Sequence, residues 1–342
     1  MNGTEKRLPH GRFMWIAAMG LLCAALISLL LGRLNVPIAE AVKILINRLP
    51  FVSIEKTWTD NMENAVINIR LPRIALACMV GCCLSAAGGA YQGVFKNPMA
   101  SPDILGASSG AAFGAALAIL LGAPGYMVTL SAFAFGMLTV LAAMLIARRA
   151  RGDNVVNLIL TGIMLSSLFA AGTSYIKLVA DPNNQLPAIT YWLMGSLSGT
   201  RHSAVKMAAI PMLTGCAVLV LCRWRLNVLT LGDEEARTMG VNAHRLRGII
   251  IAAATLVTAA SIASAGMIGW VGLVVPHMAR KIVGSDYRRL MGASMLMGAA
   301  FLLIVDDLAR NLLATEIPIG ILTAFIGAPF FIYLLCSRRN GA

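Results

Sequence analysis

The chain has 342 residues, of which 58% are hydrophobic and 13% charged, with a formal net charge of +13. Soluble domains carry about 25% charged residues, so this chain lacks the polar surface that a soluble protein needs. Disordered, collagen-like and disulfide-scaffold classes fail on the same numbers. The long continuous apolar runs predict an all-α polytopic membrane protein rather than a barrel, and the basic excess then reads as loop Lys and Arg, not as a nucleic-acid surface.

Taken from the N-terminus, Lys6, Arg7 and Arg12 precede an apolar run from Phe13 to Leu31. The run is long enough to span a bilayer, and Gly32-Arg33-Leu34 offers no small-x-small cleavage site, so a retained first helix is expected rather than a signal peptide. At roughly 20 apolar residues per span, ten helices are predicted, over residues 13–32, 71–93, 104–123, 126–147, 157–179, 204–222, 247–265, 268–283, 289–308 and 318–336. The eighth is interrupted by Pro276, His277, Arg280 and Lys281. No linker or low-complexity stretch divides the chain, and residues 1–342 are expected to form a single transmembrane domain.

Small residues recur every fourth position at Gly81, Ser85, Gly89 and Gly93, and again at Gly106, Gly110, Gly114, Ala118 and Gly122. Each set lies on one helix face, where backbones approach closely. Packing within one subunit, a pore seam and a dimer seam all fit that spacing. Gly106-Ala107-Ser108 and Gly292-Ala293-Ser294 both fall at predicted helix starts and hint at a parallel internal repeat.

With the N-terminus inside, 18 of the 28 Lys and Arg residues fall in cytoplasmic segments, which fits N-in, C-in topology with an even number of spans. Arg70, Arg73 and Arg310 are the unusual outside residues, each at the outer end of a predicted helix. Helix-end snorkelling to lipid headgroups is the plain account of them.

Chemistry is sparse. No G-x-x-x-x-G-K-[ST] phosphate loop, HExxH, GxSxG or Rossmann glycine motif occurs. The four histidines are scattered, and His202 on the outer side is the one whose ligand role would be tested first. The seven cysteines sit in or beside apolar runs without a CxxC pair and read as small buried hydrophobes. No metal or cofactor site is expected on this chain. The only acidic pair in an apolar run, Asp306-Asp307, lies near an outer helix end, with Arg310 one turn from Asp306, and a local ion pair is expected there. Ion-coupled carriers place ionisable groups near the membrane midplane, so the energy for transport is expected from elsewhere.

Residues 226–247, LNVLTLGDEEARTMGVNAHRLR, differ in kind. They read as a short amphipathic helix, a glycine turn and a second helix start on the cytoplasmic side. An ordinary surface loop and a docking element for a cytosolic partner both fit.

Five stretches carry a family resemblance: Ile69–Gly114 (IRLPRIALACMVGCCLSAAGGAYQGVFKNPMASPDILGASSGAAFG), Tyr191–Gly199 (YWLMGSLSG), Leu231–Asn242 (LGDEEARTMGVN), Gly266–Arg280 (GMIGWVGLVVPHMAR) and Glu316–Leu335 (EIPIGILTAFIGAPFFIYLL). Over residues 69–335 the chain resembles the FecCD-type permeases of ABC importers, which serve iron-siderophore, haem and vitamin B12 uptake. The resemblance implies a type II importer permease of ten helices in the bacterial or archaeal cytoplasmic membrane. It pairs with a second copy of itself or a close paralogue, two cytosolic ATPases beneath and an extracytoplasmic substrate-binding protein above. ATP and magnesium belong to the ATPase, and the permease is no enzyme by itself.

The resemblance also implies roles for residues. Leu231, Gly232, Asp233, Glu234, Glu235, Ala236, Arg237, Met239 and Gly240 match the coupling helices that sit on the ATPase. Arg70, Arg73 and Arg310 match outer arginines that receive acidic residues of the binding protein. Asn154, Val155 and Val156 fall by position on the cytoplasmic gate loop, where relatives often carry small hydroxyl residues and this chain has two valines. An iron-siderophore complex is the commonest cargo implied, then haem and corrinoids, and some relatives carry molybdate or tungstate. The rival reading is an ion-coupled secondary transporter, which the missing midplane carboxylates oppose.

Overall fold

A computed structural model of the chain describes residues 10–48 and 55–337. Lys6, Arg7, Arg338 and Arg339, counted above among the cytoplasmic basic residues, lie outside the described residues. In chain order the helices are α1 (His10–Leu30), α2 (Ile38–Ile46), α3 (Asp60–Asn64), a π-turn (Ala65–Arg70), α4 (Leu71–Val94), α5 (Ala107–Leu120), α6 (Gly125–Arg149) and α7 (Asn154–Val179). They continue with α8 (Gln185–Met194), α9 (His202–Leu231), α10 (Asp233–Thr238), α11 (Ala243–Ala265), α12 (Val271–Val283), α13 (Tyr287–Asn311) and α14 (Ile319–Ser337). Each of the ten predicted apolar segments contains a helix, and among the described residues seven helices are long and apolar enough to cross a membrane.

The boundaries follow local chemistry. Thr59, Asp153, Asn242 and Asp286 cap α3, α7, α11 and α13 by accepting hydrogen bonds from free first-turn N–H groups. Glycines close α8, α11 and α12 at Gly195, Gly266 and Gly284.

α4 is the hub, packing against α9, α11, α12 and α13. Of its most apolar stretch 78% is buried, against 17% for α1 and for α7. The small-residue stripes explain why so many helices reach it. A methyl group on Gly81 would stand 2.2 Å from the Gly298 carbonyl oxygen of α13, and one on Gly88 only 1.7 Å from that of Gly272 in α12. On α5, Gly110 and Gly114 meet the Phe135 and Ser131 carbonyls of α6 in the same way. Of the three seams open to the sequence, packing within one subunit accounts for Gly81 and Gly93 of the first stripe and Gly110 and Gly114 of the second, whereas Gly122 meets nothing within 4 Å.

α5 and α12 have 14 and 13 residues, about 20 Å each at 1.5 Å per residue, short of the roughly 30 Å hydrocarbon core. Both are preceded by irregular chain at the level of the middle of α4. Pro102, before α5, packs on Gly272, and Leu84, Asp103 and Gly272 border one cavity of about 260 Å³. Irregular backbone at that depth is tolerated only where protein encloses it. The interruption anticipated in the eighth segment at Pro276, His277, Arg280 and Lys281 does not occur, since all four lie within the continuous α12. The irregular chain comes before it, at 266–270, where Trp270 takes a left-handed φ of 69°, a sparsely populated region for a bulky residue. The proposed repeat is not seen at its markers. Gly106–Ser108 lead into α5, whereas Gly292–Ser294 lie inside α13.

Gly88→Val is expected to cost more than about 3 kcal/mol by forcing α12 off α4. Gly20→Val, with nothing within 4 Å of the added carbon, is expected to leave the protein unchanged. Thermal unfolding of both variants in detergent checks this contrast.

Candidate functional site

Two polar constellations stand at opposite ends of the bundle, one around Arg70, Arg73 and Arg310 and one around α10. At the arginine end the helix is continuous from Asp60 to Val94, with the π-turn set into it just before α4. π-turns of this kind occur often at functional sites. His202, at the start of α9, places Nε2 2.9 Å from the Ile67 carbonyl oxygen within the turn.

Arg70 lies beside the C-terminus of α1. Its Nη1 donates to the Leu29 and Leu30 carbonyls at 2.6 and 3.1 Å, and Nη2 donates to that of Leu34 at 2.5 Å. A fixed cation there satisfies helix-end carbonyls that have no partner within the helix. Arg73 forks onto Asp306, its Nε donating to Oδ1 and Oδ2 at 3.1 and 3.0 Å and its Nη2 to Oδ1 at 2.9 Å. Its Nη1 donates to Glu316 Oε1 at 3.0 Å. Arg310 pairs with Asp307 and also donates to the Ser28 carbonyl and hydroxyl of α1. The hydroxyl of Ser28 donates in turn to Asp307 Oδ1 at 2.7 Å.

The sequence foresaw a local pair between Arg310 and Asp306. The structure gives Asp306 to Arg73 instead and leaves Arg310 to Asp307, because α4 packs along α13 and brings a second guanidinium to the acidic pair. The arginines were also expected on the outer surface. They are 4%, 6% and 7% exposed, and each guanidinium is engaged within the chain. Ser28 and Glu316 escaped the sequence reading. Their only signals were a lone hydroxyl in an apolar run and the acid that opens the Glu316–Leu335 stretch.

Glu316 lies between α13 and α14. Burial pushes its carboxyl up, but the hydrogen bond and charge of Arg73, with Arg33 and Arg310 nearby, more than reverse this and hold it below the usual glutamate range.

At the other end, α9 runs to Leu231, Gly232 turns the chain, and α10 follows from Asp233 to Thr238. This is the short helix, glycine turn and second helix start expected for residues 226–247. Ala236 is fully buried, while Leu231, Glu234, Glu235, Arg237 and Met239 point outward. The N–H of Val241 donates to the Ala236 carbonyl at 2.9 Å, and Gly240 takes a φ of 75° that favours glycine. Arg247 of α11 reaches back to α10, its Nη2 donating to Asp233 Oδ1 at 2.8 Å.

Asn154, Val155 and Val156, expected in a loop, form the first turn of α7 instead. Asp153 accepts from the N–H groups of Val155 and Val156 at 2.6 and 3.2 Å and so starts the helix three residues early. Asn154 and Val155 share a cavity of about 520 Å³ with Asp233, His244 and Arg247. The α10 element and the start of α7 thus face one space. Among the described residues, no three His, Cys, Asp or Glu side chains converge as metal ligands would.

The sequence profile of the FecCD transport family matches residues 20–337. A molybdate import system permease protein of Haemophilus influenzae is 37% identical over 321 residues, covering 94% of each chain. A cobalamin import system permease protein of Halobacterium salinarum is 38% identical, covering 95% of this chain and 96% of its own. Among solved structures, a metal-chelate type ABC transporter in an inward-facing conformation matches with a TM-score of 0.86 at 35% identity, covering 96% of this chain and 99% of that one.

Arg73→Met or Asp306→Leu alone is expected to cost about 3–5 kcal/mol by leaving a bare buried charge, while the double variant recovers most of the loss. Thermal melting of the three variants checks this. Because the Glu316 carboxyl is held low in the folded protein, its stabilising contribution is present above the unfolded value of about 4.3 and is lost as pH falls through the folded value. Glu316→Gln is expected to flatten the decline in melting temperature below about pH 5.

Proposed function

The chain belongs to the FecCD transport family and is the permease of an ABC importer. On that premise we propose that it passes a metal chelate, first an iron-siderophore complex and otherwise haem or a corrinoid, across the cytoplasmic membrane. The observation that carries the mechanism is the cavity shared by α10 and the first turn of α7. The α10 end faces the cytoplasm, in keeping with Arg148, Arg149, Arg223, Arg225, Arg237, Arg245, Arg288 and Arg289, which cluster there.

The exposed face of Leu231, Glu234, Glu235, Arg237 and Met239 docks on a cytosolic ATPase, which holds ATP and magnesium. Ala236, Gly232 and Gly240 fix α10 against the bundle so that it moves as one piece. Through the pair of Asp233 with Arg247 that motion reaches α11 and reshapes the cavity beside Asn154 and Val155. These residues, with Val156, form the inner gate, where an apolar constriction closes by excluding water.

A substrate-binding protein docks over the arginine end. Arg70, Arg73 and Arg310 act there by locking the ends of α1, α4 and α13 together, so that a push on the rim travels into the helices. A second copy of the chain, or a close paralogue, completes the path along the exposed face of α7. The cargo stays open within the class, since relatives of nearly equal identity carry names specifying molybdate and cobalamin. Selectivity then rests with the binding protein.

Ala236→Glu or Gly240→Pro is expected to lower the amount of ATPase that co-purifies with the tagged chain by more than tenfold. Full recovery of the ATPase with normal transport would discard the coupling role. Arg70→Lys and Arg310→Lys keep charge but lose the guanidinium fork, and both are expected to reduce stimulation of ATP hydrolysis by the binding protein severalfold in reconstituted vesicles. Uptake by the isolated chain under an ion gradient, without ATP, would instead support a secondary transporter.

A further inference from the structure

A cleft of about 790 Å³ lies between α6 and α9 in the half of the bundle nearer the arginine end. Its walls are Leu130 and Phe133 of α6 and Met207 and Pro211 of α9, and Ala260 and Ala263 of α11 make its floor. The floor is low because α11 carries small residues there, so neither wall helix fills the gap.

Two hydroxyls of the lining are spent locally, since Thr129 Oγ1 donates to the Gly125 carbonyl and Ser264 Oγ to that of Ala260. The rest of the wall is mostly methyl and methylene groups, with the exposed hydroxyls of Tyr126 and Ser203 also on the lining. Arg201 stands at the mouth, exposed, and makes no ion pair or side-chain hydrogen bond among the described residues. No acidic residue lines the cleft.

We infer that this cleft is a binding site for one monoanionic glycerophospholipid, with an acyl chain along Leu130, Met207 and Ala263 and the headgroup phosphate on Arg201. An apolar cleft within the span of α6 and α9 opens onto acyl chains, and leaving it empty would forfeit the dispersion contacts of its lining. The position of Arg201 at the helix end puts an unpaired cation at headgroup depth, where it favours anionic over zwitterionic lipid by about fivefold. On the orientation proposed above this lipid belongs to the outer leaflet, whereas binding itself does not rest on that orientation.

The test is native mass spectrometry of the permease with its partner ATPase, extracted in mild detergent and titrated with phosphatidylglycerol or phosphatidylcholine. The expected result is one retained phosphatidylglycerol per chain at about fivefold preference. That preference should be lost in Arg201→Gln, and retention of either lipid should fall in Ala263→Leu. Tyr126→Trp, a substitution on the rim, gives a second readout through stronger quenching by bromine-labelled phosphatidylglycerol than by the labelled phosphatidylcholine. Equal retention of the two lipids, or a preference that survives Arg201→Gln, would overturn the site. So would a photocrosslinker at Met207 that captures a second copy of the chain in place of lipid.

Discussion

A guanidinium inside an apolar bundle has to find acceptors for its N–H groups and offset its charge, and the pairing of Arg73 with Asp306 is where this requirement shapes the molecule. The two residues lie 233 positions apart in the chain, and their side chains are 7% and 0% exposed. Separating them would strand a charge in a low-dielectric interior, so α4 and α13 are bound to one register. Glu316 extends the pair to the chain entering α14, Arg310 with Asp307 and Ser28 extends it to α1, and Arg70 closes the end of α1 from the other side. A single ionic cluster therefore fixes the arginine end of four elements.

Below that cluster the bundle is held by closeness rather than charge. Lipid offers no hydrophobic drive for helices to associate, so dispersion at short range has to do it. The glycines of α4 let α12 and α13 approach to backbone contact, which is why α4 can be enclosed by four neighbours. The same closeness permits the two short helices, because the irregular chain before α5 and before α12 is wrapped in protein instead of lipid.

The two ends are held by different chemistry. At the arginine end several charge-assisted hydrogen bonds converge, and movement there has to be collective. At the α10 end a helix of six residues, Asp233–Thr238, is tied back by the pair of Asp233 with Arg247 and borders an open cavity. A local displacement at that end has somewhere to go.

Hydropathy and charge are properties of neighbouring residues, so the sequence by itself determined the membrane class, the ten apolar segments, the α10 element and the family resemblance. It also found Arg70, Arg73 and Arg310 to be out of place, because a cation at an outer helix end violates a local rule. Their partners were not legible, since Asp306, Asp307, Glu316 and Ser28 become neighbours only when α1, α4 and α13 pack side by side. The exposed arginines of the sequence reading became buried struts for the same reason. The start of α7 at Asn154 needed only the Asp153 cap, a local signal that the apolar count passed over. Which seam the glycine stripes serve, and where α5 and α12 stop short, only the tertiary structure decided, because a stripe of small residues marks the face of close approach but not the helix that meets it.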